Sequence, residues 1–159
     1  MTLDFRISRD TVPRWREDEL VWAVVEPLWT SMPSDGQLAH LAQATAGQQA
    51  LFSTMLFALE VDNGGILQFF SNSSGMYWRN VIAGLQLFGA VEELGALRVA
   101  CDLFPNAEPP VDQDQRRAVI ERITKPRRAE IQDSLASAEN SLMPLWVRHI
   151  DGHPEDFFV

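Results

Sequence analysis

A chain of 159 residues with a net charge of −9 has the length of one domain, enough to bury roughly two thirds of the surface its unfolded form exposes. Five Trp and nine Phe supply bulky core material, while no apolar run approaches the roughly 20 residues of a membrane-spanning helix. The N-terminal MTLDFRISRD lacks a signal-peptide pattern, and the single Cys101 excludes an internal disulfide or a cysteine-based zinc cluster. The expectation is one cytoplasmic domain over 1–159.

The charge is unevenly placed. Residues 1–16 hold four Arg against two Asp, whereas residues 17–114 hold thirteen Asp and Glu against only Arg79 and Arg98. Residues 115–159 carry seven of each sign. The long acidic middle projects a negative field that repels nucleic acid, anionic membrane and phosphorylated substrates, and attracts basic protein surfaces. The same acidity also serves solubility alone, a reading that needs no partner.

In chain order, Met1 to Thr11 reads as an arm without helical period, extended in form. A first helix is expected after Pro13, with Glu17, Asp18 and Glu19 in its opening turns, where negative charge suits the macrodipole. Leu20, Val21, Val24, Val25, Leu28 and Trp29 make its core face, and Pro27 is expected to kink it or to start a new turn. Met32 to Gly36 is a loop in which Ser34 or Asp35 caps a short helix through Leu38 and Leu41. Thr45 and Gln48 have capping-box spacing and open a helix from Ala46 to Val61, with Leu51, Phe52, Met55, Leu56 and Leu59 as its apolar stripe.

Asn63-Gly64 is a stop signal, since both residue types accept the left-handed backbone that closes a helix. A short amphipathic turn follows, carrying Ile66, Leu67, Phe69 and Phe70. Asn63, Gln68 and Asn72 place amides among these apolar neighbours, where each needs a hydrogen bond, and tying down two abutting helix ends is a natural use. Further helices are expected over Met76–Phe88, stopped by Gly89, and over Val91–Leu103, with Leu94, Leu97, Val99, Ala100 and Leu103 inward. Phe104 to Pro110 is too proline-rich for regular structure. A helix from Asp112 or Gln113 ends before Pro126, a polar helix carries Ile131 and Leu135, and Leu142 to Ile150 forms the last apolar segment. No stretch alternates as a core strand does. The fold expected is all-α, a single compact domain of about seven helices with its helical core at about 14–150, preceded by a short arm.

Chemistry-bearing motifs are sparse. Asn63-Gly64-Gly65 follows a helix rather than a strand and has no lysine beside it, so it is not a phosphate loop. His149 and His153, near Asp151, Glu155 and Asp156, have chelating spacing only on a helix, which Gly152 and Pro154 oppose. Cys101 reads as a small buried hydrophobe. Glu60 and Asp62, beside Asn63, Gln68 and Asn72, line a polar pocket in one reading and brace helix ends in another; the first would allow acid–base chemistry. Arg116, Arg117, Arg122, Lys125, Arg127 and Arg128 form the one basic concentration; an exposed nucleic-acid stripe is one reading, but acids interleave and no aromatics offer stacking, so intrahelical pairs such as Glu121 with Lys125 are expected there. No catalytic residue, metal or cofactor is assigned.

The segment Glu60-x-x-Asn63-Gly64-Gly65-x-x-Gln68-Phe69-Phe70-x-Asn72-x-x-Gly75, followed by Ile82-x-x-Leu85-x-x-Phe88-Gly89-Ala90, resembles the all-helical DNA-mimic protein family. The resemblance is specific over about residues 50–104 and looser at Glu19–Thr30 and Asp112–Phe158. It implies an all-helical fold and a scaffold role for Asn63, Gly64, Gly65, Gln68 and Asn72, with Glu60 and Gly75 completing the structural motif, while the mimic activity belongs to an acidic surface rather than to this segment.

DNA-binding proteins gain much of their affinity from Lys and Arg meeting phosphates, and carboxylates in rows on helices compete for the same groups. The candidates are Glu17, Asp18, Glu19 and Glu26 on the first helix, Glu92, Glu93 and Asp102 further on, and Glu108, Asp112 and Asp114 around the proline loop. The two groups merge into one ridge only if their helices pack side by side. The function expected is non-enzymatic binding of a basic protein, a DNA-binding one in the mimic reading. The alternatives are an adaptor or immunity-type protein that binds by shape, and an enzyme using the Asn63 cluster. A homodimer is a further partner expectation; direct binding of nucleic acid or membrane is not expected.

Overall fold

The computed structural model describes residues 3–12, 16–135 and 137–159, and among them nine α-helices and no strand. They are α1 (Glu17–Ser31), α2 (Gln37–Leu41), α3 (Ala46–Gly64), α4 (Ile66–Ser71), α5 (Trp78–Phe88), α6 (Val91–Cys101), α7 (Gln113–Glu121), α8 (Lys125–Gln132) and α9 (Ala138–Gly152). The all-α expectation holds: seven helices have eight residues or more, and only α2 and α4 are shorter. Pro13, expected to precede the first helix, lies outside the described residues.

The central element is α3, against which α1, α4, α5 and α9 all pack. Its start is set locally, because the Gln48 amide donates to Thr45 Oγ1 and the Thr45 amide donates to Gln48 Oε1, each at 3.2 Å. That reciprocal cap satisfies two of the donors a helix start leaves open. Its closest neighbour is α5, admitted by Gly84: a Cβ there would stand 2.7 Å from Thr54 Cγ2 and 3.0 Å from the Ala50 carbonyl. On the α9 side, the buried indole of Trp146 donates to Thr54 Oγ1 at 3.0 Å, and Thr54 in turn donates to the Ala50 carbonyl at 2.7 Å. A buried indole N–H thereby keeps a partner inside the core.

Of the arm, residues 3–8 have no helix, Arg9–Thr11 form a 3-10 turn against the extended expectation, and Ile7 docks on the C-terminal tail. The Ile7 amide donates to the Phe157 carbonyl and the Val159 amide to the Ile7 carbonyl, both at 3.0 Å. Phe5, Phe157 and Phe158 are buried beneath this bridge, and Asp156 reaches the start of α3, where the Gly47 amide donates to its Oδ2 at 3.0 Å.

Several local expectations are corrected. α1 runs through Pro27 as one helix, so no new turn starts there, and the amide that would have bonded the Ala23 carbonyl is absent. Gly36, with φ of 66°, is the N-cap of α2, and neither Ser34 nor Asp35 caps it. α3 continues through Gly64, and Gly65, with φ of 82°, makes the turn into α4. Leu59 and Val99, read as core residues, are exposed. The Glu121–Lys125 pair does not form, since α7 ends at one residue and α8 begins at the other. α6 ends at Cys101 rather than Leu103, and α9 starts earlier than Leu142, at Ala138.

Candidate binding surface and the Glu60 cleft

The Asn63 segment is braced by residues from far along the chain. Gln132, on α8, donates from Nε2 to the Gly64 carbonyl at 3.0 Å and accepts from the Leu67 amide through Oε1 at 3.1 Å. One distant amide thus closes the end of α3 and opens α4, the task the sequence assigned to Asn63, Gln68 and Asn72. Asn63 is exposed. Gln68 and Asn72 bond a carboxylate instead: their amide nitrogens donate to Glu60 Oε2 at 2.8 and 2.9 Å, while Ser74 Oγ donates to Glu60 Oε1 at 2.6 Å.

Asp62 points elsewhere. Its Oδ1 accepts from the Ala138 amide at 2.7 Å and its Oδ2 from the Glu139 amide at 3.0 Å. It caps α9 from outside the helix, where a negative charge meets the positive end of the macrodipole. Residues two apart on a helix face different ways, so Glu60 and Asp62 do not form the carboxylate pair that acid–base chemistry would need.

Beside Glu60 lies a cleft of about 220 Å³, lined by Trp29, Met32, Gln37, Phe52, Leu56, Ser73, Ser74 and Tyr77 together with Glu60 itself. Tyr77 Oη donates to Gln37 Oε1 at 3.2 Å. Burial pushes the Tyr77 phenol up to about 12, so it remains a donor throughout the neutral range.

Three arginines of the basic run brace backbone carbonyls. Arg116, read as part of an exposed basic stretch, is fully buried. It donates to the carbonyls of Phe70 (2.8 Å), Asn72 (2.7 Å), Pro110 (2.7 Å) and Val111 (2.6 Å). Arg117 donates to the Ser71 carbonyl and Arg128 to that of Ile120, at 2.8 and 2.9 Å. Arg127, paired with Glu130 at 2.8 Å, follows the intrahelical pattern, and Arg117 approaches it, 4.0 Å from Asp114.

The acidic residues divide between two places. α1 packs on α3 and α9, whereas α6 packs on α5, α4 and α8, so the helices that would have to adjoin to make one ridge do not. Glu93 is a correction: only 5 % exposed, it accepts from Ser141 Oγ. Adjacent helical residues lie about 100° apart, and Glu93 shares the inward face of Leu97, Ala100 and Cys101 while Glu92 faces out. Among the others, Asp18 and Glu19 meet Arg16 at 3.0 and 3.8 Å, Glu108 meets Arg79 at 3.2 Å, and Asp114 approaches Arg117 at 4.0 Å. The Arg16 guanidinium holds the Asp18 carboxyl below the usual carboxylate range. Asp112 caps α7, accepting from the Gln115 amide at 2.8 Å. Glu17, Glu26, Glu92 and Asp102 are exposed and make no ion pair among the described residues.

On α1, Asp18, Trp22 and Glu26 recur every four residues and form one outward stripe, with Trp22 41 % exposed between the two carboxylates. Trp22 stands at the edge of a second cleft, about 330 Å³, whose walls include Trp29, Met55, Leu59, Met143 and Trp146. Nothing in the sequence pattern separated this aromatic cleft from ordinary core, because its walls come from three helices.

His149 lies on α9 and His153 caps its end, their rings 4.4 Å apart. No group of three metal-ligating side chains forms among the described residues. Cys101 is buried and its thiol is pushed up to about 12, mainly by burial. No helix of the described residues is long and apolar enough to cross a membrane.

No curated protein and no solved structure matches the chain. A family model described as DMP19-like protein matches residues 42–153, from the end of α2 to the end of α9, a span that holds the braced Asn63 segment and leaves α1 outside. With most of its length inside that match, the chain belongs to the DMP19-like protein family.

Proposed function

We propose that the chain is a non-enzymatic acidic protein-binding domain whose first helix, presenting Asp18, Glu19 and Glu26 on one face with Glu17 at its start, engages a basic partner. In its sharper form the partner is a DNA-binding protein whose phosphate-contacting Lys and Arg meet these carboxylates in place of DNA. The observation carrying this reading is the Asp18–Trp22–Glu26 stripe beside an open aromatic cleft. Carboxylates steer a basic surface into register, and a half-exposed Trp supplies the kind of anchor on which binding energy concentrates. Membership of the DMP19-like family and the resemblance to DNA mimics support it. The match begins after α1, so the family supports the binding function and not its placement on this face. Glu92, Asp102, Glu108, Asp112 and Asp114 lie within the matched span and stay further candidates for contact with the same partner.

The 330 Å³ cleft favours a second reading, an adaptor or immunity-type protein that binds by shape with its acidity incidental. Retention of a partner on the immobilised chain, compared at low and high ionic strength, separates the two. Exposed charge pairs are screened within about 8 Å at physiological salt. The acidic-face reading therefore predicts release as salt rises, and equal retention would favour binding by shape.

A further inference from the structure

We propose that the cleft beside Glu60 is a binding site for a single cationic group on an unbranched stem, an alkylammonium or a guanidinium. The inference is separate from the α1 face and does not rest on it.

Glu60 is a half-buried carboxylate with no basic partner among the described residues, and no Lys or Arg lines the cleft. Its two oxygens are unequal. Oε2 takes two donors, Gln68 and Asn72, neither of which lines the cleft. Oε1 takes one donor, Ser74, which does line it. A carboxylate offers about four lone-pair directions in all, so the unused capacity lies on the oxygen whose partner faces the opening. A ligand that completes it must be a hydrogen-bond donor and, opposite a fixed negative charge, a cation.

The walls agree with that choice. Trp29, Phe52 and Tyr77 form a continuous edge-to-face series with ring centroids 5.8 and 5.6 Å apart. Aromatic faces attract ammonium and guanidinium groups, most strongly where water is partly excluded. Met32 and Leu56 provide apolar surface for a methylene stem. At about 220 Å³ the cleft is smaller than the roughly 300–1,000 Å³ of drug-sized sites, which suits a short chain with one charged end. An anion is disfavoured by the carboxylate, and a neutral ligand leaves that carboxylate without its counter-charge.

The test is an NMR titration of the full chain, following the Trp29 indole and the Ser74 and Tyr77 amides. The probes are n-butylammonium, n-butylguanidinium and, as a neutral shape control, n-butanol. A ligand of so few atoms is expected to bind at about millimolar strength. The two cations should shift the cleft signals saturably, with n-butanol about tenfold weaker or worse. Glu60→Gln should weaken the cations by at least about tenfold. Because that change disturbs three hydrogen bonds, Trp29→Leu, checked for folding by thermal melting, gives an independent reading and should also weaken them several-fold. Equal binding of n-butanol, full affinity in both variants, or no saturable shift up to about 100 mM cation would overturn the proposal. Capped lysine and arginine derivatives identify the source. If they bind as well as the simple amines, the site receives a side chain from another protein; if only the simple amines bind, it receives a free small molecule.

Discussion

The guanidinium of Arg116 occupies the space a side chain on Gly75 would need: a Cβ built there would stand 2.6 Å from Arg116 Nε and 2.9 Å from the Phe69 carbonyl. Arg116 uses the room to gather four carbonyls from two segments, the close of α4 and the proline loop; of these the Asn72 carbonyl also accepts from the Gly75 amide at 3.2 Å. Gly75 is thus a residue of close approach rather than of backbone conformation. Gly75→Ala should destabilise by about 1–3 kcal/mol through overpacking, and Arg116→Met by about 3–5 kcal/mol through the carbonyls left unpaired in the interior. Urea denaturation of both variants and the double variant checks the link. The Gly75 penalty should shrink in the Arg116→Met background without vanishing, because the Phe69 carbonyl remains; strict additivity would show that the two residues are not coupled.

Gln132 provides a second test of how the Asn63 segment is held. Gln132→Ala leaves the Gly64 carbonyl and the Leu67 amide without partners, and should cost about 1–3 kcal/mol in the urea unfolding free energy. The exposed Asn63 should tolerate alanine within about 0.5 kcal/mol. Equal costs at the two positions would contradict the bracing described above.

What was legible in the sequence was local. Thr45 and Gln48 lie three apart and announce the start of α3, and Gly89 closes α5 with φ of 71°. The buried arginine was not legible: its carbonyl partners at Phe70 and Asn72 lie more than forty residues away, and a run of basic residues reads as a surface. Gln132 carried no signal because an amide at the end of a polar helix reads as solvated. Glu93 could have been found, since Leu97, Ala100 and Cys101 stand four, seven and eight residues on and mark its face as inward. The Glu60 cleft was half visible: its polar cluster stands out in the sequence, but its aromatic walls come from α1, α3 and the turn before α5.

His149 makes stability depend on pH. Its Nε2 is buried without a hydrogen-bond partner, and its ring lies against His153 and Phe88. Burial first, and then the neighbouring His153, lower its pKa below 6.5, with Asp156 and Glu155 opposing. The folded protein therefore takes up this proton less readily than the unfolded chain. Above pH 6.5 both states are neutral at His149 and it contributes no pH dependence; as the pH falls below that value the unfolded chain is protonated first and stability drops. The urea midpoint should decline from pH 8 to about pH 5.5, and His149→Phe should flatten the decline. An unchanged slope in that variant would assign the effect to another group.

The central claim, that carboxylates on α1 occupy the DNA-contacting surface of a basic protein, is tested most directly by displacement. A purified DNA-binding partner, recovered from the immobilised chain by salt, is bound to its labelled duplex and titrated with the chain while fluorescence anisotropy is recorded. The account predicts that the chain releases the duplex, that the effect weakens steeply as salt rises, and that Glu17→Lys, Asp18→Lys and Glu26→Lys together abolish it. A partner that holds chain and duplex at once, or that is displaced equally well by the triple variant, would contradict it.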